Sequence, residues 1–158
     1  MGFTRRQPAS GPDGFTIVEL AIVLIIASVL LGLAVPRIQA TFHQRDVDGA
    51  RDGVILMGAR ARSLAMEEAQ VVQLRLRADA GVAEILQGGA TVETFRFEDD
   101  LGVEAVSEIG DIVMCYTGRG FAVEPCSTHL STPAQVEFSR DGHTATLEVW
   151  QLGQLRKL

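Results

Sequence analysis

Hydrophobic positions fall into three regimes along the chain. From Phe15 to Val35 they run almost unbroken (FTIVELAIVLIIASVLLGLAV), with one charge, Glu19. A helix of about 20 such residues is long enough to cross a bilayer core. From Val47 to Leu64 the apolar residues Val47, Ala50, Val54, Met57, Ala61 and Leu64 recur at steps of three and four. That spacing predicts a helix with one apolar stripe. After Gln70 the period shortens to two. Val72, Leu74 and Leu76 alternate with Gln73, Arg75 and Arg77, which predicts a half-buried strand over 71–77.

Further strands are expected at 82–87, 91–97, 103–108, 111–116, 120–124, 134–139 and 144–150. A short terminal strand is expected within 152–158. Gly88-Gly89, Asp99-Asp100, Gly118, Gly120 and Asp141-Gly142 punctuate them. Asp141-Gly142 between apolar alternations is a hairpin signal. Pro36 lacks an amide hydrogen and disfavours helix just before it, so a bend is expected there. The predicted fold class is α+β. One long, bent helix from about Phe15 to Gln70 packs its second half on an antiparallel sheet or sandwich head. Residues 1–14 form a leader, 15–36 a membrane-spanning half-helix, 37–70 the outer half-helix and 71–158 the β head. A coiled-coil seam is the rival use of the stripe, and Gly49, Gly53 and Gly58 argue against it.

Charge refines this picture. Net charge is -6. Residues 71–158 hold seven Arg and Lys against thirteen Asp and Glu, so the head is the acidic part. That disfavours nonspecific nucleic-acid binding, which needs cations to neutralise phosphates. Arg5 and Arg6 precede the apolar run and keep the leader on the cytoplasmic side. The head then lies across the membrane, where an oxidising compartment lets Cys115 and Cys126 pair. Two short strands meeting at Gly118-Arg119-Gly120 would bring these cysteines opposite each other. Two cysteines without neighbouring ligands do not complete a zinc site.

Glu19 poses a physical problem. A carboxylate in an apolar span costs about 2.5–3.5 kcal/mol on insertion scales, less near the interface. Cleavage after Gly14 would create a positive amine on Phe15. At about 4 Å and an effective dielectric near 20, such a pair attracts by roughly 4 kcal/mol. The bland alternative is a Glu that snorkels to water. An ordinary secretory signal is a second alternative, with Gly32-Leu33-Ala34 as a small-x-small cleavage site. A carboxylate inside its apolar core counts against it.

Gly14-Phe15-Thr16-Ile17-Val18-Glu19-Leu20, followed by the apolar helix and Pro36, resembles the processing site of type IV pilins and pseudopilins. The resemblance implies cleavage between Gly14 and Phe15 by a prepilin peptidase and N-methylation of Phe15. It implies that Glu19 neutralises the Phe15 amine of a neighbouring subunit and sets filament register. Partners would be other pilins or pseudopilins, in an inner-membrane, single-pass protein with its head in the periplasm.

Ala59-Arg60-Ala61-Arg62-Ser63-Leu64-Ala65 leads straight into a strand. Phe138-Ser139-Arg140-Asp141-Gly142 and Gly153-Gln154-Leu155-Arg156 follow near the end. This order resembles the minor pseudopilin H and FimT group. It implies a low-copy subunit near a filament tip, in type II secretion or in a type IV pilus. Some FimT-type pilins bind DNA through a basic C-terminal segment; here only Arg156, Lys157 and nearby Arg140 could serve.

Enzyme readings find no motif: no nucleophile-His-Asp pattern, no His-Glu-x-x-His and no phosphate-binding loop. No catalytic residue, metal or cofactor is expected. His43, His129 and His143 are expected to be scattered and solvated. Glu98-Asp99-Asp100 reads as a solvated turn rather than a calcium loop.

Overall fold

The computed structural model describes residues 15–124 and 126–158, with the side chains of 33–40 excepted. The chain divides into two compact units, 1–39 and 40–158. The helix α1 (Ile17–Glu68) contributes to both. The leader, Gly14 included, lies outside the described residues; at Pro36, where a bend is expected, α1 is continuous.

In the first unit, α1 is apolar on every side. All described side chains from Phe15 to Gly32 are exposed except half-buried Ala27. Ile17 is 87% exposed and Leu24 60%. Among the described residues no helix is long and apolar enough to cross a membrane. The described apolar run ends at Gly32, short of the roughly 20 residues a span requires. The expected span, 15–36, runs on into 33–36, whose side chains lie outside the described residues.

The second unit is the head. It holds eight strands: β1 (Val72–Arg77), β2 (Val82–Gln87), β3 (Ala90–Arg96), β4 (Glu104–Ser107), β5 (Ile112–Tyr116), β6 (Ala134–Arg140), β7 (His143–Val149) and β8 (Leu155–Lys157). They form two antiparallel four-stranded sheets. The orders are β3-β2-β1-β5 and β4-β6-β7-β8. Alternation decides which residues turn inward. Val72, Leu74 and Leu76 are buried on β1, and Val136 and Phe138 on β6. Glu137 between the last two is exposed.

Val47, Ala50, Val54, Met57, Ala61 and Ala65 of α1 meet the buried faces of both sheets in one core. The expected stripe is correct up to Ala61. It then runs to Ala65, while Leu64 is only partly buried.

Two expected strands change. Residues 120–124 form no strand; Ala122 makes an isolated bridge to Tyr116. The strand expected to reach Phe97 stops at Arg96, because Phe97 opens a short helix, α2 (Phe97–Leu101). The Glu98-Asp99-Asp100 run, expected as a solvated turn, is exposed and forms the acidic first turn of α2. Phe97 is fully buried, with its ring 5.3 Å from that of Phe138. It thus links the end of β3 to β6. The Asp141-Gly142 hairpin is as expected. Arg140 pairs with His143, and both turn residues have positive φ, 49° and 81°. These are the features of a type I′ turn.

The helix glycines have distinct tasks. A β-carbon on Gly53 would overlap the Phe95 ring, and one on Gly58 would overlap Leu155. A β-carbon on Gly49 meets only Leu101, at 3.8 Å. Gly49→Ala should therefore stabilise the protein by up to about 1 kcal/mol through helix propensity. Gly53→Ala should destabilise it by about 1–3 kcal/mol, because a stiff ring must move. Urea midpoints of the full chain in detergent check this ordering; equal midpoints would refute it.

Candidate functional site

The expected assembly residue, Glu19, lies in the first turn of α1. Its backbone N–H donates to Thr16 Oγ1 at 3.2 Å, and its carboxylate accepts from the Thr16 N–H at 3.3 Å. The Thr16 hydroxyl also donates to Glu19 Oε2 at 3.2 Å. This reciprocal pair is a capping box, with Thr16 as N-cap and Glu19 three residues on. The sequence carried the signal, a Thr three residues before a Glu, and the reading that fixed on the carboxylate alone missed it. A carboxylate here also faces the positive end of the helix. Only Oε2 is engaged; Oε1 makes no hydrogen bond among the described residues. Phe15, immediately before the cap, is 85% exposed.

Cys115 and Cys126 form a disulfide with a Cα–Cα distance of 5.8 Å. The expected pairing is present, but its scaffold differs from two facing strands. Cys126 sits on an irregular segment laid along the free edge of β5. The Val123 and Thr128 N–H groups donate to the carbonyls of Cys115 and Val113. Ser127 Oγ and Thr128 Oγ1 accept from the Cys115 and Val113 N–H groups at 3.0 and 2.8 Å. Side-chain hydroxyls thus do what a strand's carbonyls would do. A serine and a threonine after a cysteine give no periodic pattern from which this could be read.

A second cluster fixes the β6–β7 hairpin to the helix. Arg140 Nη1 donates to Asp46 Oδ2 at 2.8 Å and to the Leu101 carbonyl. His43 Nδ1 lies 3.1 Å from Asp141 Oδ2, and His143 Nδ1 lies 3.2 Å from Gln44 Oε1. The rings of His43 and His143 stand edge to face, 6.3 Å apart. These two histidines, expected to be scattered, are brought together by the fold; His129 instead contacts Glu124 at 2.5 Å. Among the described residues, no group of three or more His, Cys, Asp or Glu is placed to hold a metal ion.

The third cluster lies at the end of β5. Tyr116 is fully buried, and its hydroxyl donates to the Gly153 carbonyl at 2.8 Å. Arg62 Nη2 donates to the same carbonyl at 3.3 Å, with its guanidinium 5.5 Å from the Tyr116 ring centroid. Gly153 has φ 76°, and a β-carbon there would strike Tyr116 and Ala122. Burial pushes the Tyr116 phenol up to about 12, against the opposing charge of Arg62.

No protein-family model and no curated protein matches the chain. Among solved structures, the chain is similar to the type IV minor pilin FimU of Pseudomonas aeruginosa. One crystal form aligns with a TM-score of 0.53 at 16% identity, over 72% of this chain and 89% of FimU. The chain has a type IV pilin-like fold. A second FimU crystal form aligns with a TM-score of 0.49 at 17% identity, over 70% and 91%. Identities this low speak to the fold alone.

Two predictions follow from these pilin-like head contacts. Replacing Cys115 and Cys126 with serine opens a loop of about ten residues and should cost roughly 2–3 kcal/mol; denaturant unfolding under oxidising conditions measures it. Tyr116 is the chain's single tyrosine, so phenolate absorbance reads it alone. It should titrate near 12 in folded protein and near the ordinary 10.0 in urea. Because the folded value is the higher, its contribution to stability is complete below pH 10.0 and fades as pH rises toward 12. Tyr116→Phe should remove that part of the alkaline instability.

Proposed function

We propose that the chain is a low-copy subunit of a type IV pilin-like filament, anchored in the inner membrane with its head in the periplasm. The observation that carries this reading is the pairing of two parts. A helix apolar on all sides begins at a Phe15–Glu19 processing-site motif, and the chain continues into a pilin-like head. A helix of that kind needs lipid or other helices around it. Neighbouring subunits and the bilayer are the partners of the proposal. Prepilin peptidase would cut between Gly14 and Phe15, freeing the amine that is then methylated.

In this reading the capping box has a use. It orients Glu19 at the helix start and leaves Oε1 available to the Phe15 amine of a neighbour. The finer assignment is a minor pseudopilin of a type II secretion system, supporting protein export. It rests on the order of segments after the helix. A minor pilin of a type IV pilus is the second reading, favoured by the fold likeness to FimU.

A DNA-binding role has little support. Arg140 is tied to Asp46, and Lys157 Nζ contacts Asp52 Oδ2 at 2.7 Å. Of the three C-terminal cations, only Arg156 has no ion pair among the described residues.

N-terminal sequencing of mature protein should begin at Phe15; a start at Val35 would point to an ordinary secretory signal. Glu19→Ala should leave the protein in the membrane and abolish filament function. The machine is identified by which output fails, protein export or piliation. Normal export and normal piliation in that variant would overturn the proposal.

A further inference from the structure

We infer that Cys126 is the site of thiol–disulfide exchange on the folded head: it forms the mixed disulfide with a dithiol–disulfide enzyme, and Cys115 is the thiol that resolves it. The compartment in which such an enzyme acts comes from the periplasmic reading; the difference between the two sulfurs does not depend on it.

The two halves of the disulfide have different surroundings. Cys115, on β5, is completely inaccessible, whereas Cys126 is exposed. Exchange proceeds by attack of a thiolate on sulfur through a mixed disulfide. Only a sulfur that a second molecule can reach takes the first step. Gln73 of β1, the register partner of Cys115, donates from Nε2 to Cys126 Sγ at 3.3 Å. A hydrogen-bond donor at sulfur favours the thiolate, the reactive form, while apolar burial disfavours it. Access and chemistry therefore select the same sulfur.

The fold also holds the second thiol in place. Cys126 lies in a turn closed by the Ser127 N–H and hydroxyl, which donate to the Val123 carbonyl at 3.2 and 2.8 Å. That turn is fixed to β5 on both sides of Cys126. The Val123 N–H donates to the Cys115 carbonyl at 3.1 Å, and Ser127 Oγ accepts from the Cys115 N–H at 3.0 Å. None of these bonds involves the sulfurs. With the disulfide open, Cys126 therefore stays beside Cys115, and resolution is an intramolecular step between positioned groups.

The exchange balances as follows. The Cys126 thiolate attacks the enzyme's disulfide and bonds to one of its sulfurs; the other leaves as a thiolate. Cys115 gives its proton to solvent and attacks Cys126 Sγ, and the enzyme's remaining sulfur leaves. The chain's two thiols end as a disulfide and the enzyme's disulfide as a dithiol.

Reduced glutathione is the probe that tests the difference between the sulfurs. Full-length, disulfide-bonded chain in detergent is exposed to it briefly, quenched in acid and blocked at its free thiols. Trypsin then cuts after Arg119, between the two cysteines, so mass spectrometry assigns the adduct. Glutathione should be found on Cys126 in excess of Cys115 by about tenfold or more. Equal adducts, or more on Cys115, overturn the inference. In cells, acid-quenched Cys115→Ser chains should carry the enzyme on Cys126 as a heavier species that reductant removes, and Cys126→Ser chains should carry several-fold less. Trapping that favours Cys126→Ser means oxidation before β5 is covered and overturns the inference, as does no trapping by Cys115→Ser. The compartment is read separately, from the unsubstituted chain blocked at its thiols on lysis. Both cysteines free there would overturn the periplasmic reading, whatever the glutathione result.

Discussion

The head depends on burying one side of α1 against two sheets at once. Val47, Ala50, Val54, Ala61 and Ala65 are completely inaccessible. Small residues dominate that stripe, so backbones come close, and the larger volumes are supplied by Phe97, Phe138, Ile85 and Leu147 from the other elements. Gly53 and Gly58 extend the same logic, as notches that admit Phe95 and Leu155. The glycines cost helix propensity, roughly 1 kcal/mol each. The tight fit of two side chains from opposite sheets offsets that cost. Toward its N-terminus the same helix has no such stripe, and its apolar side chains face outward in all directions. One helix is therefore written for two kinds of surroundings.

Sheet edges are the other constraint, because an unpaired strand invites another chain. The β5 edge is closed by residues 122–124 and 126–128, whose Ser and Thr hydroxyls and backbone amides take up free groups of the strand. The disulfide fastens that segment to the strand it covers. Lys157 on β8 reaches Asp52 on α1, which ties this short edge strand to the helix. The start of the β3 edge is bare, with Ala90, Thr91 and Val92 exposed, and Arg60 contacts Glu93 at 3.0 Å beside it.

What could be read from the sequence was what repeats. The stripe on α1, the alternation of β1, β6 and β7 and the Asp141-Gly142 turn all follow from local periodicity or local turn chemistry. What could not be read was what depends on distant partners. Phe97 looked like the last residue of an alternating strand, yet tertiary contact with Phe138 draws it into a helix. The alternating residues 120–124 looked like a strand, yet the edge of β5 is met by the N–H groups of Val123 and Thr128 and by the hydroxyls of Ser127 and Thr128. Arg140 and Asp46 are separated by 94 positions, and no spacing rule links them. The N-terminal site was half legible. Glu19 stood out because it is a lone charge, while Thr16 passed unnoticed in an apolar context despite completing a local motif.

The Arg140–Asp46 bridge has a consequence for how the protein is made. Asp46 leaves the ribosome 94 residues ahead of its partner, so the stripe of α1 waits over that length of synthesis for β6 and β7 to cover it. Contacts this distant in sequence slow folding and leave apolar surface open to misassociation meanwhile. A chaperone or a bilayer surface that shields the half-made helix would matter more here than for a domain closed by neighbouring segments.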